Sequence, residues 1–299
     1  MLHGKIRALG NIFVLLAFLA FFFGGCSSAP KRPAAVYTDR NTATNLLDLA
    51  IKTANQGRYA DALFILDEAR VLAVSSDDPP LLIRTSVARG NFLFSLGRHG
   101  EAFVNWEEAI LEGERSGEGN LTALVRIYTA RGRLMQLIDS GQTGGIAEIR
   151  DQVSALVSSI VSDPLLQAPG FVTIGIAEKE LGRYAEAEKS VRLALEIHEN
   201  RLYLEDAAYD WFIIASVFSV AGRYNDALAA LETSIGFDRR AENGFGLASS
   251  WQAMGEVYLK MGLPDQAYAA FNRSAGIFTA IGLDDLAHNA AARANNIYQ

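Results

Sequence analysis

A short turn returns along this chain at a fixed interval, and that interval limits what the chain can fold into. The copies read Gly57-Arg58-Tyr59, Gly97-Arg98-His99, Gly182-Arg183-Tyr184 and Gly222-Arg223-Tyr224, with a weaker one at Gly262-Leu263-Pro264. Positions 57 and 97 are 40 apart, as are 182 and 222, and 222 and 262. The gap from 97 to 182 is 85, which leaves room for one further, degenerate copy. Self-similarity at a period of about 20–50 residues means a stacked array in place of one globular core. Half of the residues are hydrophobic and 20% are charged, so the chain is rich enough in apolar side chains to bury such an array.

The N-terminus is organised differently. Lys5 and Arg7 precede an apolar run, Ile12 to Phe23, and Gly24, Gly25 and Cys26 follow it. The run is too short to cross roughly 30 Å of hydrocarbon as a helix at about 1.5 Å per residue, so it reads as a signal-peptide core. Small residues directly before the chain's single cysteine resemble the lipobox of bacterial lipoproteins. That resemblance implies cleavage of residues 1–25, lipid attachment at Cys26 (palmitate and related acyl chains), and anchoring in a membrane. Ser27 in place of Asp implies, by the same resemblance, the periplasmic face of the outer membrane. Two or three acyl chains hold a protein stably, at about 0.8 kcal/mol per buried methylene. Residues 26–41, with two prolines and no helical period, read as a tether. The lone cysteine leaves no intrachain disulfide, so the body rests on packing.

Aligned on the turn glycine, the copies share a wider pattern. One is Trp251, Met254, Gly255, Tyr258, Gly262, Ala267, Phe271, Ser274; its predecessor is Trp211, Ile214, Ala215, Phe218, Gly222, Ala227, Leu231, Ser234. Spacings of three and four put each set on one helical face, with the small residue leaving room for an antiparallel partner. This large–large–small–aromatic, then small–large–small order resembles tetratricopeptide repeats. The resemblance implies an all-α solenoid of about six helical hairpins over residues 42–283, with a degenerate copy near 121–163 and a capping helix at 284–299. The extra residues over the common form are expected to lengthen both helices. An acidic residue near the start of each second helix (Asp61, Glu101, Glu186, Asp226, Asp265) suits the helix dipole.

In such an array the first helices line the concave side. Residues offset from the core face give the expected groove: Leu47, Ile51, Val87, Asn91, Phe94, Val172, Ile176, Tyr209, Phe212, Gln252 and Glu256. An apolar stripe of this kind suits a partner helix or an extended hydrophobic segment, unless the groove is narrow and these residues bury one another. The family's carboxylate clamp needs a Lys where Val87 stands, so that clamp is not expected. Glu112, Glu114 and Glu118 read as a solvated loop. Neither a metal-ligand spacing, a phosphate-cradling glycine loop nor a nucleophile elbow occurs, so no cofactor, metal or catalytic residue is expected. A net charge of −7 without basic clusters argues against nucleic acid. Two functions fit. One is a membrane-tethered scaffold holding another envelope protein or a peptide segment; the other is a lipoprotein beside a periplasmic solute-binding or transport system, handling a hydrophobic ligand.

Overall fold

The computed structural model describes residues 37–298. The expected signal segment, Cys26 and most of the expected tether lie outside the described residues. Within them the chain forms thirteen α-helices, joined by turns and followed by a single 3-10 turn, Asn296–Tyr298. They are α1 (Thr38–Asn55), α2 (Tyr59–Ser75), α3 (Pro79–Ser95), α4 (His99–Ser116), α5 (Gly119–Asp139), α6 (Ile146–Ser159), α7 (Pro164–Glu180), α8 (Tyr184–Arg201), α9 (Leu204–Val220), α10 (Tyr224–Ala241), α11 (Gly244–Lys260), α12 (Pro264–Ala280) and α13 (Asp284–Asn295). Odd- and even-numbered helices pair as six hairpins, α1/α2 to α11/α12, and α13 packs on α12. The fold is thus an all-α solenoid of helical hairpins.

The turns explain the Gly-Arg-Tyr signature residue by residue. Each glycine that ends a first helix sits at positive φ, from +70° at Gly262 to +81° at Gly57, where a Cβ is costly. At two copies the arginine folds onto the acid three residues later, Arg98 on Glu101 and Arg223 on Asp226, both at 2.7 Å, whereas Arg183 reaches back to Glu178 at 3.3 Å. The two exposed pairs contribute only about 0.2–1 kcal/mol each. The aromatic residue opens the second helix and packs inward; His99 does so by stacking on Phe94 at 4.3 Å.

In the second, fourth and sixth hairpins a bulky residue of the second helix fills the space that a glycine of the first leaves open. A Cβ on Gly255 would lie 2.7 Å from the Phe271 ring, one on Gly175 2.3 Å from Val191, and one on Gly90 2.3 Å from Trp106. Phe271, Val191 and Trp106 are buried accordingly. Trp251 is only half-buried, with the Arg273 guanidinium 4.5 Å above its ring. Truncating it therefore costs less than the loss expected of a core tryptophan.

Two expectations change, and a third is filled in. Thr38 to Asn41, assigned to the tether, are helical: Thr42 and Thr44 donate to the carbonyls of Thr38 and Arg40, and Arg40 pairs with Asp78 of the next hairpin at 2.7 Å. Glu112 and Glu114 are not in a loop. They sit on α4 and pair with Arg115 and Arg126, whereas Glu118 does lie in the turn before α5. The degenerate copy is the hairpin α5/α6, whose second helix is only 14 residues and whose first is 21. Its irregular turn follows from Gly141 and Gly145, both at positive φ, with Gly145 capping α6.

The array closes on itself. The first turn meets the sixth hairpin: a Cβ on Gly57 would lie 3.0 Å from the Ile281 carbonyl oxygen. Tyr59 packs edge-on against Phe245 at 6.5 Å, and Phe245 in turn against Phe278 at 6.0 Å. Lys52 and Glu242 pair across the same seam at 3.6 Å. Gly57 is buried there, whereas Gly97, Gly182, Gly222 and Gly262 have open space around them.

Candidate functional site: a chamber inside the ring

Closure leaves an open-mouthed chamber of about 580 Å³. Its two walls come from opposite ends of the chain. On one side stand the C-terminal halves of α1 and α3, with Asp48, Ile51, Asn55, Asn91 and Phe92. On the other stand the N-terminal halves of α9 and α11, with Glu205, Asp206, Tyr209, Phe212 and Phe245. Asp238 of α10 completes the floor.

The lining is amphipathic. Tyr209 and Phe212 lie nearly parallel, 6.4 Å apart at 14°, and Tyr59 meets Phe92 edge-on at 6.3 Å. Four carboxylates line the chamber (Asp48, Glu205, Asp206 and Asp238) against one cation, Lys52, which Glu242 engages at the seam. Water reaches Asp206, yet protein surrounds it on nearly every side. Burial raises its carboxyl above the ordinary value; His198 pulls against this and Glu205 adds to it. Asp238 is 2% exposed. Burial pushes it up to about 7, against the opposing hydrogen bond from Asn243 Nδ2 at 2.7 Å. Asn243 is held for this purpose by its own role as the α11 cap, where its Oδ1 accepts from Gly246 N at 3.0 Å.

Behind the wall, His198 of α8 and Asp210 of α9 form a buried pair at 2.7 Å. Burial pushes Asp210 up to about 6, and the contact with His198 works against it. Burial works to lower His198, but the Asp210 hydrogen bond together with the charges of Asp210 and Asp206 outweighs it and holds the imidazole above its ordinary value. This pair ties two hairpins together and does not line the chamber. Deeper still, Arg131 donates to Thr173 Oγ1 at 2.9 Å and to the Pro169 carbonyl.

The structure sorts the expected groove residues into three sets. Ile51, Asn91, Tyr209 and Phe212 come together at the chamber. Leu47, Val87, Val172 and Ile176 do not: all four are buried in the core between hairpins. A first helix in a closed ring packs on neighbours at both sides, so the face beside the core stripe is buried as well. Phe94, Gln252 and Glu256 also lie elsewhere. Phe94 stacks on Trp106 at 5.7 Å within its own hairpin, Gln252 is half-buried off the chamber, and Glu256 pairs with Arg293 of α13 at 2.6 Å.

The carboxylates and Phe92 and Phe245 were missed because a single offset was applied to every copy. The copies themselves hold the signal. Sixteen and seventeen places before the turn glycine, the fifth hairpin has Asp206 and Glu205, whereas the fourth has Leu166 and Leu165 and the second Leu81 and Pro80. Acids at positions that are apolar in sister copies mark solvent-lined wall. Among the described residues no group of three or more His, Cys, Asp or Glu is placed to hold a metal ion, and no helix is long and apolar enough to cross a membrane.

Comparison with known proteins agrees with this architecture. Residues 248–278, the α11/α12 hairpin, match the family model for the tetratricopeptide repeat. No curated protein sequence matches the chain. Among solved structures, the chain is similar to the Rap protein complexed with competence and sporulation factor, with a TM-score of 0.57 at 17% identity over 86% of this chain and 70% of that one. The apo form of RapI gives 0.53 at 14% identity, over 86% and 72%. The APC/C hetero-tetramer Cut9-Hcn1 gives 0.55 at 18% identity over 85% of this chain, which spans only 43% of that one. The chain is a helical-hairpin solenoid that carries a tetratricopeptide repeat at residues 248–278.

Proposed function

We propose that this protein is a lipid-anchored scaffold of the bacterial cell envelope, attached through Cys26 on the periplasmic face of the outer membrane, and that its longer-period tetratricopeptide array holds a segment of another envelope protein in the chamber. One observation carries the reading. The concave face is walled into a chamber of about 580 Å³, while its aromatic side chains Tyr209 and Phe212 stay accessible. Stacked helical repeats bind extended partners on this face. The apolar run and small residues before Cys26 support the anchor.

The chamber volume also falls in the range of about 300–1,000 Å³ typical of small-molecule sites. This favours a second reading, a ligand-handling lipoprotein of a transport system. Its four carboxylates argue against the hydrophobic ligand first expected for that role.

A photo-crosslinking residue in place of Phe212 separates these readings in the native envelope. The expected result is a discrete protein adduct that is absent when the same residue replaces Phe64 on the outer face. Small-molecule adducts without a protein partner favour the second reading. Cys26→Ser is expected to move the protein out of the membrane fraction; unchanged fractionation sinks the anchor.

A further inference from the structure

The geometry points to the chamber as a receptor for an organic cation, the ammonium or guanidinium group of a Lys or Arg side chain on the bound segment. The inference rests on the reading of the chamber as the docking site and adds the chemistry it selects.

Three independent features meet there. The first is an excess of negative charge. Glu205 and Asp206 stand on the first turn of α9, Asp48 faces them from α1, and Asp238 comes up from α10. Among the described residues no Lys or Arg pairs with any of the four at ion-pair distance, and the lining cation Lys52 turns to Glu242. Arg131 lies behind the wall, where it donates to Thr173 and Pro169 and offsets part of the Asp206 charge without pairing with it. The second feature is aromatic. Tyr59, Phe92, Tyr209, Phe212 and Phe245 line the same space, and a ring face attracts a cation by about 0.5–1 kcal/mol when exposed and about 2 or more when desolvated. The third is a carboxyl set into the wall. Asp238 is 2% exposed, accepts from Asn243 Nδ2, and has no cationic partner. Burying a carboxylate without a countercharge is costly unless something pairs with it. A cation entering the chamber supplies that partner, while water-lined Glu205 and Asp206 meet it at the entrance.

The chemistry also explains why aromatic and acidic groups alternate on α9. Asp206 and Tyr209 are three apart and Tyr209 and Phe212 three apart, so one helical face presents a carboxylate followed by two rings. A long side chain with an apolar stem and a charged head fits that order. A neutral side chain leaves that excess of negative charge in place, and an anionic one adds to it.

Calorimetric titration of the full chain in detergent tests the inference with three probes: the peptide acetyl-Gly-Lys-Gly-Lys-Gly-amide, the same peptide with both lysines acetylated, and free 1,5-diaminopentane. The lysine peptide is expected to bind at least tenfold tighter than its acetylated twin. The double variant Glu205→Gln, Asp206→Asn is expected to erase that preference with its melting temperature unchanged. Equal binding of the two peptides overturns the cation site and leaves the polypeptide scaffold standing. Binding of the diamine without either peptide keeps the cation site and overturns the scaffold reading. Absence of binding by both the lysine peptide and the diamine at millimolar concentration overturns the cation site.

Discussion

Asp238 shows how one residue couples the site to stability. Its carboxyl has an ordinary value of 3.8 and is pushed up to about 7 in the folded chain by burial. Folding therefore favours the protonated form. That preference is fully present below about pH 4 and is lost as the pH rises through about 7, because the unfolded chain ionises first and binds fewer protons in between. Asp238→Asn keeps an oxygen to accept from Asn243 and removes the charge. Its melting temperature is expected to match the parent at pH 4 and to exceed it by a few degrees at pH 8, where about 1 kcal/mol corresponds to about 2–4 °C in a domain of this size. Asp210, pushed up to about 6, tilts both proteins alike and cancels in the difference. Scanning calorimetry at the two pH values decides it; equal differences at both would mean that Asp238 is ionised and paired throughout.

At the scale of the element, the hairpin was legible because its requirements are local. A positive-φ glycine, an acid in the first turn and a small residue opposite a bulky one can each be read from a window of a few residues. Gly255 against Phe271 is the case that can be tested. Its Cβ position lies 2.7 Å from the ring of a fully buried phenylalanine. Gly255→Val forces that ring out of place, and overpacking costs about 1–3 kcal/mol. Denaturant titration should show a lower midpoint with unchanged slope, and an unchanged midpoint would mean that the hairpin splays at no cost. The concave wall was less legible because it is not a local property. Ile51 and Phe212 were recognisable as neighbours of a core stripe, but Val172 and Ile176 have the same local pattern and are buried. Which of them faces water depends on how tightly the stack curves, and curvature sums small rotations over every hairpin. Asp238 was invisible for a related reason: it reaches the chamber from a second helix, where no groove residue was expected.

At the scale of the whole molecule, the seam between the first and sixth hairpins sets the behaviour. Gly57 and Gly97 occupy the same place in their hairpins and have similar φ, +81° and +73°. An alanine at either carries the same left-handed strain, about 1–2 kcal/mol. Only at Gly57 does it also press on a backbone carbonyl, that of Ile281 at 3.0 Å. Gly57→Ala is therefore expected to cost more than Gly97→Ala, and to speed amide hydrogen exchange around Ile281 at the far end of the sequence. Equal costs with no distant effect would mean that the two ends do not hold one another. An open stack frays from its termini inward, each unit answering to its neighbours alone. A bracelet with its clasp fastened leaves its six hairpins no free end from which to fray. Unclasping must come first, so this protein should melt in a single step, and whatever enters the lumen must either thread through an opening or wait for the clasp to part.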